Sequence, residues 1–196
     1  MNLPEDFEKN MERMLQGDYK KYLESFEQPR LYGLRVNTLK MGVKDFLSKG
    51  LFSLEPVSWC PEGFYYAPEE RPSKHPYYYA GLYYLQEPSA MAPGAVIDVQ
   101  PGDKVLDLCA APGGKSTQVG ARLKGAGMLV SNDISPTRAK ALLKNLELWG
   151  VKNYLVLSET PEKMAGRFLE FFDKILVLSL IHIYPVYKTK YCGTGI

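Results

Sequence analysis

The spacing of apolar residues changes along the chain, and each change predicts a different element. As far as residue 26, apolar side chains recur at helical spacing, which predicts a helical opening. These side chains are Leu3, Phe7, Met11, Met14, Leu15, Tyr19, Tyr22, Leu23 and Phe26. Segment 31–40 (LYGLRVNTLK) then alternates, placing Leu34, Val36 and Thr38 opposite Arg35 and Asn37, and this predicts a strand. A short helix is predicted over 43–50, ending at Gly50.

The next stretch gives weaker signals. Residues 54–76 are rich in proline and glycine, which predicts short strands and turns. Segment 75–98 contains five tyrosines and has two interpretations. The first is a core helix, with Ala80, Tyr83, Tyr84 and Met91 on its buried face. The second is an aromatic surface on which bases stack. We favour core packing.

From Pro101 onward, strand and helix patterns alternate regularly. The β-rich runs are KVLDLC, GMLVSND, NYLVL and FDKILVL, and helical patterns separate them. The clearest helix follows Ser135, a good N-cap residue, carries Pro136 in its first turn and ends at Gly150. Such an order predicts a four-stranded parallel sheet with helices on both faces.

Composition and charge narrow the setting. The chain has 45% apolar residues, 23% charged residues and a net charge of +2, which neither names nor excludes a polyanionic partner. No apolar signal segment opens the chain, and the longest apolar run, 175–184, is about half the ~20 residues of a membrane helix. Cys60, Cys109 and Cys192 form no CxxC pair, which argues against zinc and against disulfides. We therefore expect a cytoplasmic monomer without metal or membrane.

The segment DLCAAPGGKSTQ, residues 107–118, resembles a triphosphate-binding loop because it contains Gly-Lys-Ser. Such a loop needs glycine or alanine with four residues between it and that triplet, and this chain has Cys109 at that position. Pro112 also removes one of the backbone N–H groups that bind phosphate. No acidic residue ends the strand at 172–178 to help hold magnesium, and the dinucleotide pattern GxGxxG is absent. A P-loop ATPase is therefore a weak alternative.

The segment still has the general geometry of a nucleotide-binding α/β unit: a strand, a glycine turn, a helix N-terminus and an acidic residue at the end of the next strand. That acid is Asp133, 20 residues beyond Gly113, and its carboxylate can accept both hydroxyls of a ribose. The helix N-terminus after Gly114 favours an anion, here a carboxylate, and Lys115 reinforces it. A ribose and a carboxylate without phosphates indicate S-adenosylmethionine. The alternative is that the glycines only form a turn and Asp133 only caps a helix.

DLCAAPGGKST resembles the cofactor motif of the Sun-type (NOL/NOP/Sun) RNA cytosine-5 methyltransferases, which include bacterial ribosomal RNA enzymes. Four further segments resemble other motifs of that family: LRVNTLK, AGLYYLQEPSAM, SNDISPTRAKALLKNLELWGV and FDKILV. The resemblance extends from Leu31 to Val177. It implies an α/β fold, with a Rossmann-like class I methyltransferase domain, its parallel sheet incomplete, after a small α+β N-terminal domain. We place the RNA-binding-type N-terminal domain at 1–75, the methyltransferase domain at 76–177 and a divergent tail at 178–196.

The resemblance also implies roles for individual residues. The methionine part of S-adenosylmethionine would be wrapped by Cys109, Ala110, Ala111, Pro112, Gly113, Gly114 and Lys115. Asp133 would bind the ribose and Arg138 would support that site. Glu159 stands where the family has an aspartate near the adenine. The implied partner is RNA, in particular ribosomal RNA.

In the family mechanism, a cysteine thiolate adds to carbon 6 of a flipped-out cytosine, so that carbon 5 can take the methyl group. An aspartate binds the N3 edge of the base, and a second cysteine helps to release the product. Here the family's Asp-Ala-Pro-Cys is replaced by Leu178, Ser179, Leu180 and Ile181, and Cys192 matches neither catalytic cysteine. We therefore expect no catalytic residue and an inactive, truncated methyltransferase. The alternative is a non-catalytic module that binds RNA or the cofactor.

Overall fold

The computed structural model describes residues 3–178. The chain divides into two compact units, Met1–Leu31 and Tyr32–Ile196. The first contains helices α1 (Glu5–Leu15) and α2 (Tyr19–Ser25), separated by a 3-10 turn, Gln16–Asp18. Acidic side chains in the first turn of α1 stabilise its N-terminus through the helix dipole. The predicted helical opening is confirmed, with a break at Gln16, whose φ is +48°.

The second unit begins with an antiparallel sheet, called here the N-terminal sheet. Its strands, in the order β2-β3-β1-β4, are β1 (Tyr32–Val36), β2 (Leu54–Pro56), β3 (Gly63–Tyr66) and β4 (Tyr83–Leu85). Two short helices accompany it, α3 (Val43–Leu47) and α4 (Pro76–Tyr79). Its core is formed by Leu34, Val36, Phe46, Phe64 and Tyr83.

The single core helix predicted within 75–98 is wrong. Helix α4 ends at Tyr79, and the chain turns at Gly81, whose φ is +66°, before it enters β4. A β-carbon on Gly81 would lie 2.4 Å from the carbonyl oxygen of Leu148, so only glycine permits this close approach. The expected core packing is confirmed for Tyr83 and Met91, which are buried, and the Tyr83 hydroxyl donates to the carbonyl of Pro72 at 2.7 Å. It is wrong for Ala80, which is exposed at the C-cap of α4.

A parallel sheet follows, as the strand and helix alternation predicts. Its order is β7-β6-β5-β8, with β5 (Lys104–Asp107), β6 (Met128–Asn132), β7 (Tyr154–Leu157) and β8 (Lys174–Leu176). The helices of this region are α5 (Ala92–Val96), α6 (Gly114–Leu123), α7 (Pro136–Trp149) and α8 (Pro161–Arg167). Helix α7 has the predicted ends: the Ser135 hydroxyl accepts from the Arg138 N–H, and Gly150 is left-handed.

Two apolar cores lie on the two faces of the parallel sheet, because successive side chains of a strand point to opposite faces. Val105 and Leu129 pack with α6 and α7, whereas Leu106 and Val130 pack with Met164 of α8. The strand order reverses direction at β5, which has β6 on one side and β8 on the other. In open α/β sheets this switch point leaves a crevice at the carboxyl ends of the strands.

Strand β4 joins the N-terminal sheet although it follows residue 75 in sequence. The domain limits at 75 and 177 stay predictions. No helix among residues 3–178 is both long and apolar enough to cross a bilayer. In the same range, no group of three or more histidine, cysteine, aspartate or glutamate side chains could hold a metal ion.

Candidate functional site

A cavity of about 750 Å³ opens at the carboxyl ends of β5 and β6, a volume typical of small-molecule sites. Its walls come from the loop after β5, the loop after β6, the start of α8, the end of β8 and a segment that runs from β4. The lining residues predicted from the sequence are Cys109, Ala110, Ala111, Pro112, Gly114, Lys115, Asp133, Arg138 and Glu159. Gly113 belongs to the same loop but does not line the cavity.

The loop at residues 109–115, called here the glycine loop, passes close to the N-terminal sheet. Gly113 has a φ of +113° and precedes the first residue of α6, Gly114. A β-carbon on Gly114 would lie 3.1 Å from the amide nitrogen of Gln86, so a larger residue would push the two walls apart. Lys115 follows on the cavity wall, at the positive end of the α6 dipole. This end of the cavity is therefore suited to an anionic group.

Asp133 is almost fully buried just beyond β6 and has several protein partners. Its carboxylate accepts from the backbone N–H groups of Ala111 (3.3 Å) and Ser135 (3.1 Å) and pairs with Arg138 at 3.3 Å. Arg138 also donates to the carbonyl of Ala111 at 2.9 Å. The carboxylate therefore anchors the glycine loop. It does not cap α7 as the alternative expected, because the N-cap residue of α7 is Ser135. Because a carboxylate has about four acceptor positions, it can still accept from a ligand in the cavity.

Glu159 is positioned through a residue that sequence reasoning missed. The side-chain amide of Asn132 accepts from the Glu159 N–H at 2.9 Å and donates to the Glu159 carbonyl at 3.0 Å. The carboxylate of Glu159 itself accepts from Lys163 at 2.9 Å, and this hydrogen bond lowers its pKa. Asn132 lines the cavity and is buried. The sequence feature that could have identified it as a site residue is its position at the end of a predicted strand, next to Asp133.

Asp107, the last residue of β5, is a second residue near the cavity loops that was not among the site residues predicted from the sequence. It is fully buried and accepts from the Ser116 hydroxyl at 2.7 Å, while the Ser131 hydroxyl donates to Ser116 at 2.9 Å. This chain of hydrogen bonds links β5, α6 and β6. Burial raises the pKa of Asp107 to about 6.

The N-terminal sheet supplies one wall of the cavity through Tyr84, Gln86 and Glu87. Gln86 is held in place by its own bond to the Ala90 carbonyl (2.9 Å) and by Arg35, whose Nε donates to its side-chain oxygen at 3.0 Å. The spacing of Tyr84, Gln86, Glu87 and Arg35 along the chain did not predict a binding site. Alternation in β1 predicted the strand correctly, but both of its faces are buried, so its polar residues point into the protein.

Asn37 and Lys40 connect the N-terminal sheet to the end of α7. The Asn37 amide donates to the carbonyls of Gly81 (2.7 Å) and Trp149 (2.8 Å). Lys40 donates to the carbonyls of Ala80 (2.7 Å) and Leu148 (2.6 Å). These bonds satisfy carbonyls at the C-terminus of α7 that have no partner within the helix.

The cysteines among residues 3–178 are poor nucleophiles. Cys60 is fully buried, and burial raises its pKa to about 11. Cys109 lies in the glycine loop, where burial also raises its pKa. Both are therefore thiols at neutral pH, whereas nucleophilic attack needs a thiolate. Of the residues that replace the family's catalytic motif, Leu178 lines the cavity, while Ser179, Leu180 and Ile181 lie outside the described residues. Cys192, which matches neither catalytic cysteine, also lies outside them.

Two family models match consecutive parts of the chain. The N-terminal domain of the 16S rRNA methyltransferase RsmF matches residues 3–88, and the 16S rRNA methyltransferase RsmB/F model matches residues 94–179. Ribosomal RNA small subunit methyltransferase F of Vibrio atlanticus is 36% identical over 188 residues, which are 89% of this chain and 39% of that protein. The Escherichia coli protein of the same name is 35% identical over 167 residues, 80% of this chain and 34% of that one. The chain thus spans about two fifths of these relatives.

Solved structures agree with this similarity. A methyltransferase homolog protein from Pyrococcus horikoshii superposes with a TM-score of 0.75 at 32% identity, over 82% of this chain and 53% of that one. NSun6 from the same organism superposes with a TM-score of 0.77 over 90% of this chain and 70% of that one. Its identity is 18%, so it supports the fold alone.

Proposed function

Because this chain belongs to the RsmB/F family of 16S rRNA methyltransferases, we propose that its cavity binds S-adenosylmethionine for methylation of carbon 5 of a cytosine in ribosomal RNA. The observation that carries this proposal is the convergence of Asp133, Lys115 and the glycine loop on one cavity at the switch point of the sheet.

The residues present fit this cofactor. Asp133 would accept from the ribose hydroxyls, on the side of the cavity where Ile134 and Glu159 would flank the adenine. Lys115 and the N-terminus of α6 would attract the carboxylate of the methionine part. When bound, S-adenosylmethionine supplies a methyl group attached to a positively charged sulfur. The protein's contribution is to orient that group toward the open side of the cavity.

The family's covalent step needs a thiolate and an acid at the base, and residues 3–178 contain no thiol that is ionised at neutral pH. We therefore propose that this chain supplies the cofactor half of the reaction and transfers no methyl group by itself. The protonated cysteines favour the second candidate function, a non-catalytic module that binds the cofactor or RNA.

Calorimetry with S-adenosylmethionine and S-adenosylhomocysteine tests cofactor binding, and we expect the two to compete for one site. Magnesium-dependent ATP binding without cofactor binding would contradict the proposal. Transfer of a tritiated methyl group to unmodified ribosomal RNA, with mapping of 5-methylcytosine, tests activity. No transfer is expected. Turnover that survives Cys192→Ser would refute the inactivity proposal, and turnover lost in that variant would make Cys192 the nucleophile.

A further inference from the structure

The guanidinium of Arg35 is a buried cation that forms no salt bridge, although the carboxylate of Glu62 acts on it at longer range and partly offsets the effect of burial on its pKa. The residue is 1% exposed, and no carboxylate in residues 3–178 lies within 4.0 Å of it. Burial lowers its pKa to about 10, which leaves it charged at neutral pH. Burying an unpaired charge costs free energy unless hydrogen bonds or a ligand offset it. The position of this charge therefore calls for a functional explanation.

The hydrogen bonds of Arg35 end on the cavity wall. Its Nη2 donates to the carbonyl of Gly114 at 2.8 Å and to the hydroxyl of Thr117 at 2.7 Å. Its Nε donates to Gln86, which lines the cavity together with Gly114. The guanidinium carbon lies 4.8 Å from the ring centroid of Trp149, within the range of a cation–π contact. The Arg35 side chain thus holds both Gln86 and Gly114, which contribute to the cavity wall from two different parts of the chain.

The part of the wall held by Arg35 also carries other positive groups. Lys115 and the N-terminus of α6 lie beside Gly114, and Arg35 adds a third positive group behind them. Since this charge is withdrawn from water, its attraction for an anion in the cavity is screened less than that of a surface lysine. Arg35 does not line the cavity, so it acts through Gly114 and Gln86 and through its field.

We propose that Arg35 is a positioning residue for the carboxylate end of the methyl donor. It fixes Gly114 and Gln86 and places a positive charge behind them, which makes the N-terminal sheet a part of the cofactor site. This inference rests on the proposed function, because it requires an adenosyl amino acid in the cavity.

The test compares two ligands that differ only in the carboxylate. S-adenosylhomocysteine has it, and its decarboxylated analogue, S-adenosyl-3-thiopropylamine, does not. For Arg35→Met in the full chain we expect about tenfold weaker binding of S-adenosylhomocysteine, the effect of one lost charge-assisted interaction. Binding of the amine should stay within about threefold of wild type, because Arg35 repels its ammonium while it holds the wall. Arg35→Lys keeps the charge and should keep most of the preference for the carboxylate.

Lys40→Met is the matched control, because it removes another cation of the same segment that donates to carbonyls away from the cavity. It should leave the ratio of the two dissociation constants unchanged. If Arg35→Met weakens the binding of both ligands equally, Arg35 has only a structural role and the inference is overturned. If Arg35→Met does not fold, Arg35→Lys decides alone, and loss of the carboxylate preference there overturns it. Wild-type protein that binds neither ligand would instead refute the proposed function itself.

Discussion

The two sheets of the second unit use polar residues in opposite ways. In the parallel sheet the polar side chains of Asp107, Asn132 and Asp133 collect at the carboxyl ends of strands, where the strand order creates a crevice. In the N-terminal sheet, Arg35 of β1 and Asn37, which directly follows β1, contact the neighbouring helices. One sheet forms the site through its topology, and the other supports it through individual side-chain contacts.

If the proposal for Arg35 holds, the cofactor site depends on residues outside the parallel sheet. The glycine loop lies between the parallel sheet, from which it emerges, and the N-terminal sheet, against which it packs. If the N-terminal sheet were only an attached RNA-binding domain, changes in it would leave the cavity intact. Four substitutions test the two regions and the contacts between them, here taken from the largest expected effect to the smallest.

Trp149→Ala tests the packing between the two regions. Trp149 belongs to the core of the parallel sheet, and its ring also contacts Tyr84 of β4 at 5.9 Å between centroids. We expect a loss of about 3–5 kcal/mol in the free energy of unfolding, typical of a buried tryptophan. Urea unfolding measures this loss. Leu143→Ala, on the exposed side of the same helix, should cost far less, and equal costs would show that the packing is unimportant.

Asp107→Asn tests the buried end of β5 through its pH dependence. The pKa of Asp107 rises from about 3.8 in the unfolded chain to about 6 in the folded protein. The folded protein therefore binds this proton more tightly, and the resulting stability is complete below pH 4 and lost as the pH rises through 6. The loss is about 2–3 kcal/mol at roughly 1.4 kcal/mol per pKa unit.

The asparagine variant should not show this loss, so its stability relative to wild type should increase between pH 4 and pH 7.5. Urea unfolding across that range measures the difference. The exposed variant Asp98→Asn serves as a control. A pH-independent difference between Asp107→Asn and wild type would show that folding does not raise the pKa of Asp107.

Asp133→Ala tests the ligand role of the parallel sheet against its structural role. Loss of the hydrogen bonds from the ribose hydroxyls to this carboxylate should weaken the binding of S-adenosylhomocysteine by about 1.5–3 kcal/mol, as measured by calorimetry. Asp98→Ala should bind like wild type. If Asp133→Ala lowers thermal stability but leaves affinity unchanged, Asp133 serves only to anchor the glycine loop.

Asn37→Ala tests the polar connection from the N-terminal sheet to α7. Its removal leaves the carbonyls of Gly81 and Trp149 without their amide donor, and we expect a loss of about 1–2 kcal/mol in unfolding free energy. Thr38→Ala, an exposed neighbour on the same segment, should be close to neutral. Loss of unfolding cooperativity in Asn37→Ala would sharpen the comparison, because it would show that this amide couples the two sheets.

Much of the parallel sheet was predictable because its signals are local. Alternation of β-rich runs with helical patterns predicted that the strands β5 to β8 alternate with helices along the chain, and Ser135 and Gly150 marked the ends of α7. The resemblance of residues 107–117 to a cofactor motif placed the glycine loop correctly beside the cavity. The assigned ligand contacts of these residues stay predictions. Local pattern failed in segment 75–98, where the tyrosines fit a helical face but Gly81 turns the chain into a strand.

The sequence by itself thus determined the alternation of strands and helices along the chain, the ends of α7 and the loop that meets the cavity, because each depends on neighbours along the chain. Only the tertiary structure decided that Arg35 and Gln86 support that loop, since the Arg35–Gly114 contact joins residues 79 positions apart. A polar residue in an alternating strand normally faces water. Here the other side of β1 is covered by α6 and by Trp149 of α7, so the same alternation buries an arginine beside the site.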